Sequence, residues 1–179
     1  MKTLFTRALG ATIVIGGLCA SNLALAHATL ERQEAAVGSS YKGVMRVPHG
    51  CAGSATVRVR IRIPEGVVGV KPMPKPGWTL ETTKGKYEKT YELMHGKISE
   101  GVKEISWSGG RLPDDQYDEF VFTGSIASDL NPGATLYFPT VQDCETGAER
   151  WIEIPSEGKS AHDLKSPAPG LMLTPGKAH

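Results

Sequence analysis

The residues best equipped for chemistry lie at one boundary, where Ala24-Leu25-Ala26 is followed by His27-Ala28-Thr29-Leu30. Cleavage between Ala26 and His27 makes histidine the first residue of the mature chain, so its free α-amine and its imidazole can close a chelate ring on one metal ion. An internal histidine offers only one nitrogen to an ion. The α-amino group titrates near about pH 7.7 to 8, so a metal displaces its proton cheaply at neutral pH. Nitrogen donors in tetragonal geometry suit Cu(II), which tops the divalent affinity series. The other amino-terminal copper motif, with histidine third, is excluded because the third mature residue is Thr29. Signal peptidase requires only small residues before the cut, so the boundary alone makes metal binding an expectation.

The elements that must carry this terminus begin with a leader. Lys2 and Arg7 supply a positive start, Ala8 to Leu18 an apolar run, and Ala24-Leu25-Ala26 a small-residue cleavage site, which together predict a secretory signal over residues 1–26. Cys19 follows Leu18 where a lipobox needs a small residue, so no lipid anchor is expected. The run is too short and Gly-rich for a membrane span. Removing 26 of the 179 residues leaves 153, enough for one domain with a proper core. The leader takes two positive charges with it and leaves 18 Lys and Arg against 19 Asp and Glu. A net charge near zero, with no basic run, argues against nucleic acid or anionic membrane as partner.

Of three cysteines, Cys19 leaves with the leader, and Cys51 and Cys144 remain as an even pair in an exported chain. An oxidising compartment favours a disulfide; the competing assignment is a pair of thiolate ligands for copper or zinc. If the pair is bonded, His49 stands two residues before one partner, and Trp151 stands just across the Glu145-Thr146-Gly147 turn from the other. Their neighbourhood is then shared. Met73 is a candidate soft ligand for Cu(I), though a packing role fits it better. His95 reads as a turn residue, and His162 and His179 fall in the tail, where a histidine can capture metal but rarely orders a site.

Periodicity predicts an all-β domain. Thr56 to Ile63 alternates strictly, with Val57, Val59, Ile61 and Ile63 on one face and Thr56, Arg58, Arg60 and Arg62 on the other. The arginine row reads as a solvated strand face rather than an anion site. Tyr41–Val47, Val67–Val70, Trp78–Thr83, Tyr87–Leu93, Val102–Ser108, Asp118–Ile126, Ala134–Val141, Phe138–Cys144 and Ala148–Ile154 read as further strand segments. Turn signals at Lys84-Gly85-Lys86, His95-Gly96 and Gly109-Gly110 separate some of them. Three alternate prolines in Lys71 to Trp78 require an extended connector. Short strands at this spacing indicate an antiparallel β-sandwich, immunoglobulin- or fibronectin-like, over residues 27–155. Beyond it, Pro and Gly punctuate residues 156–179, which are expected to form an irregular tail.

Several motifs together resemble the YcnI-like family, a secreted copper-binding domain. They are His27-Ala28-Thr29-Leu30, Ala36-Val37-Gly38-Ser39, Val47-Pro48-His49-Gly50-Cys51, the Lys71 to Trp78 stretch, Trp107-Ser108-Gly109-Gly110, Asp118-Glu119-Phe120 and Arg150-Trp151. The resemblance implies a β-sandwich holding Cu(II) through the amine and imidazole of its first residue, aided by an acidic residue and a tryptophan. His27 takes the first role and Trp151 best matches the tryptophan. Where family members carry the carboxylate just after Val-Pro, this chain has His49-Gly50-Cys51, so the further ligand is His49 or a carboxylate from elsewhere such as Glu34. The indole nitrogen is a donor only, so a ring near the ion is the milder role for Trp151.

The resemblance implies a non-enzymatic role in periplasmic copper trafficking or buffering, beside copper chaperones or a membrane copper transporter. An N-terminal histidine with a second histidine also resembles the copper ligands of lytic polysaccharide monooxygenases, but this chain has no clear aromatic cluster to build their flat binding face. A metal-free interaction module is the remaining alternative. No nucleophile-base pair, phosphate loop or CxxC motif points to another enzyme class.

Overall fold

A computed structural model describes residues 27–93, 96–156 and 158–176. The expected leader, His95 and His179 lie outside the described residues. The strands are β1 (Thr29–Leu30), β2 (Glu34–Ala36), β3 (Ser40–Val47), β4 (Thr56–Arg62), β5 (Val67–Pro72), β6 (Thr79–Leu93), β7 (Gly96–Leu112), β8 (Asp118–Ile126), β9 (Thr135–Tyr137), β10 (Thr140–Cys144), β11 (Ala148–Trp151) and β12 (Gly170–Thr174). One 3-10 turn spans Ala161–Asp163, and the described residues contain no α-helix. Two antiparallel sheets, β1-β3-β8-β5 and β11-β10-β4-β7-β6, form the sandwich, and a small sheet, β2-β12-β9, completes the fold. The expected all-β antiparallel sandwich is what the chain adopts.

Alternation explains the facing of β4, with one exception. Val59, Ile61 and Ile63 are buried while Arg58 and Arg62 are exposed, as period two requires. Arg60 pairs with Asp143 on β10 at 3.2 Å. A register irregularity between Thr56 and Arg58 reverses the start of the strand, so Thr56 is fully buried and Val57 only half-buried. The extra residue of a bulge shifts which side chains face inward. Between the sheets, Phe120 packs edge-on against Trp78 at 5.1 Å and close to Trp107 at 5.5 Å. Trp107 is fully buried, and its indole N–H donates to the carbonyl of Met73 in the proline-rich connector. Gly43 lies directly over the Phe122 ring, where a Cβ would collide with it.

Two expectations are corrected. Lys84-Gly85-Lys86 is not a turn: β6 runs through it, pairs with β7, and absorbs the local irregularity as register shifts. Gly109 and Gly110 likewise lie within β7, with the Trp78 ring filling the space a Cβ on Gly110 would need. The far half of this hairpin is anchored by Tyr87 and Tyr91 against Val68 and Ala127. Beside them, burial raises the Glu65 carboxyl, but hydrogen bonds from Lys103, Tyr91 and the Glu88 N–H outweigh it and hold its pKa below the ordinary value.

The second correction concerns the C-terminal segment, which is not an irregular tail. Gly170–Thr174 forms β12, parallel to β2 and antiparallel to β9, and buries Leu171 and Leu173. Each buried leucine contributes about 2 kcal/mol of hydrophobic stabilisation. The proline-rich stretch before β12 is pinned as well, by the Phe138 N–H to the Pro169 carbonyl and the Ala168 N–H to the Glu153 carbonyl. The folded unit therefore runs past residue 155 to Thr174.

Candidate functional site

His27 is positioned by the edge strand that follows it. β1 pairs with β3 in the register Thr29 to Arg46 and Leu30 to Met45, and two more steps along that register carry His27 to the level of Pro48, next to His49. Burial of Ala28 and Leu30 fixes the strand against the core while His27 stays half-buried. Its imidazole meets the Trp151 ring edge-on, with centroids 5.1 Å apart and planes at 66°.

Trp151 closes β11 opposite Thr140 and is 4% exposed. Its indole N–H donates to Oε1 of Gln142 at 3.4 Å. Gln142 is fully buried on β10, and its amide nitrogen donates to the His49 carbonyl at 2.6 Å and to the Thr56 hydroxyl at 2.8 Å. A donor-only indole sets the orientation of that amide. The side chain thus links the tryptophan, the start of β4 and the loop bearing His49. Because the indole nitrogen faces Gln142, Trp151 offers His27 its ring and not a nitrogen.

The Cys51–Cys144 disulfide staples the same region, with Cα atoms 6.0 Å apart. Cys51 opens a tight turn in which it exchanges backbone hydrogen bonds with Ser54, and Ala52 and Gly53 take positive φ. The bridge thus ties the loop between β3 and β4 to the end of β10, which carries Gln142 two residues earlier. The two cysteines are not metal ligands. Nδ1 of His49 lies 2.5 Å from the Gly50 carbonyl, a contact within its own loop.

His27 also lines a cavity of roughly 620 Å³ together with Glu34, Tyr137, His162, Leu164 and Met172. Glu34 therefore shares the space beside His27, whereas His49 is joined to the site through Gln142 and Trp151; among the described residues it does not line the cavity. His162 reaches the cavity on the 3-10 turn, fixed by a capping box between Ser160 and Asp163. Met73 is 52% exposed in the connector and is not among the cavity-lining residues described. No three His, Cys, Asp or Glu side chains among the described residues converge as a ready ligand group.

Gln142 escaped the sequence reading because a strand glutamine usually faces water. One signal was present: counting back from Cys144 by twos places Gln142 and Thr140 on the cysteine's side of β10. Replacing Gln142 by Leu removes the acceptor of the buried Trp151 N–H, and should lower stability by about 1 to 3 kcal/mol. Urea unfolding measures it; an unchanged midpoint would mean that water satisfies the indole.

The family model described as a domain of unknown function, DUF1775, matches residues 27–173. No curated protein matches. Among solved structures, an uncharacterized protein from Nocardia farcinica, described as having an immunoglobulin-like fold, superposes with a TM-score of 0.60 at 23% identity, covering 83% of this chain and 98% of that one. The seventh ScaB type I cohesin from Pseudobacteroides cellulosolvens superposes at 0.38 and 9% identity, covering 85% of this chain and 94% of that one, too low to bear on the fold. The Nocardia structure agrees with the sandwich and speaks to fold alone.

Proposed function

We propose, for a chain that belongs to the DUF1775 family, a domain of unknown function, that it is an exported copper-binding protein of the periplasm. After cleavage before His27 it holds Cu(II) through the α-amine and imidazole of that residue, and it serves copper trafficking or buffering rather than catalysis. The observation that carries this reading is His27 half-buried and in ring contact with Trp151, at the edge of a cavity that also contains Glu34. The start of the family match at His27 supports the cleavage site. The likeness to YcnI-like proteins supports the metal.

The donor set fits the ion. An amine and an imidazole give Cu(II) two nitrogens in one plane, and the carboxylate of Glu34 supplies a further donor from the cavity, with His49 as the alternative ligand. The Trp151 ring packs edge-on against the imidazole and holds its orientation. Copper here is cargo, and the open cavity is the side from which a periplasmic chaperone or a membrane copper transporter would receive it.

The test is a Cu(II) titration of the processed protein, its terminus confirmed by mass, beside a form carrying one extra residue before His27. The extension moves the free amine off the histidine and breaks the chelate without touching the core. One-to-one binding by the processed form, weakened at least about a hundredfold in the extended form, is the expected result. Equal binding by both would remove the terminal amine from the site.

A further inference from the structure

The cavity beside His27 contains donors that the Cu(II) brace does not use. In the small sheet, Met172 stands between Glu34 on β2 and Thr135 on β9, each directly opposite it. Its neighbours Leu171 and Leu173 point into the core, so the Met172 thioether points the other way, 42% exposed and lining the cavity. An exposed methionine at the centre of a three-stranded sheet gains little from burial, and its polarizable sulfur is a ligand suited to Cu(I). His162 lines the same cavity, on a turn held by Ser160 Oγ accepting from the His162 N–H and Asp163 accepting from the Ser160 N–H. His27 stands at the edge of the same space.

We infer that Met172 and His162 form a Cu(I)-binding subsite in this cavity, next to the Cu(II) brace at His27. The inference rests on the copper reading above and extends it to the second oxidation state. Cu(I) accepts few ligands and prefers soft ones, so a thioether and an imidazole suffice to hold it where Cu(II) would demand more nitrogen or oxygen. A cavity of roughly 620 Å³ is far larger than an ion. The surplus space leaves the metal reachable by a donor group from a partner, as a transfer site requires. The two sites therefore divide the labour by hardness: amine and imidazole for the oxidised ion, thioether and imidazole for the reduced one.

The experiment uses the processed full chain under anaerobic conditions, with Cu(I) titrated against a chromophoric Cu(I) chelator and the bound metal examined by X-ray absorption. Sulfur in the Cu(I) coordination shell is expected, lost in Met172→Leu together with at least about tenfold of Cu(I) affinity. His162→Gln should weaken Cu(I) binding similarly. Leucine conserves the volume of methionine, so the fold is preserved. Cu(II) binding by both variants should remain within about twofold of the parent. A Cu(I) shell of nitrogen and oxygen alone, or full Cu(I) affinity in Met172→Leu, overturns the subsite. The outcomes separate the two readings: Cu(II) lost on N-terminal extension with no sulfur bound to Cu(I) removes the subsite only, and sulfur-bound Cu(I) with extension-insensitive Cu(II) removes the brace only.

Discussion

Replacing Cys51 and Cys144 together by alanine is expected to lower the free energy of unfolding by about 4 kcal/mol and the melting temperature by about 8 to 16 °C. The cross-link joins residues 93 apart in sequence, and it acts mainly by restricting the unfolded chain. A loop of that size corresponds to about 4 to 5 kcal/mol in the chain-entropy model. The packing loss is small by comparison, because both residues are modest in volume and lie at the margin of the core, 6% and 8% exposed. Guanidinium unfolding of the oxidised protein, the reduced protein and the double alanine variant measures the effect. Reduced and double-variant forms should agree. A loss below about 1 kcal/mol would show that the unfolded chain is already restricted by other contacts.

Trp151→Ala should cost about 3 to 5 kcal/mol, since it removes a buried indole and leaves a cavity under the end of β11. It also orphans Oε1 of Gln142 and strips His27 of its ring neighbour. Trp151→Phe separates these roles, because it keeps a ring beside His27 but abolishes the N–H. Its stability cost should be only about 1 to 2 kcal/mol. Cu(II) quenching of tryptophan emission adds a readout that a merely structural role would not move: with His27 in contact with Trp151, the quenched fraction should fall sharply in Trp151→Phe while Cu(II) affinity is retained. Quenching that persists unchanged would place the ion nearer Trp78 or Trp107 and away from His27. A double cycle of Trp151→Phe with Gln142→Leu should be non-additive, because each variant breaks the same hydrogen bond.

The strands declared themselves where one face was dry and the other wet. In β4 the arginines alternate with Val59, Ile61 and Ile63, and period two is sufficient to orient them. The inversion at Thr56 was invisible, because a bulge leaves no local signature when both flanking residues suit a strand. The C-terminal strand was hidden for a different reason. Leu171-Met172-Leu173 is three apolar residues with no polar alternation, framed by Pro169 and Pro175, and its partners β2 and β9 are short and distant in sequence. The disulfide followed from parity and compartment. The meeting of His27 with Trp151 was an implication of the family likeness and could not be read from spacing, since the residues sit at opposite ends of the sandwich's chain order. Gln142 is the residue that joins them to His49, and its burial depends on cross-strand packing that only the fold supplies.

The pairing of β12 with β2 has a kinetic consequence. The small sheet needs a strand from near residue 34 and another from near residue 172, so it cannot assemble until almost the whole chain is available. Contacts between such remote segments are costly to close and form slowly. During synthesis the N-terminal strands lack this partner, and the polypeptide stays pliable. For a chain exported by way of the leader proposed here, that delay keeps it threadable through a narrow translocation pore. Among the described residues the last strand to emerge is then the one that lines the cavity shared with His27, so that cavity takes shape only when nearly the whole chain is available.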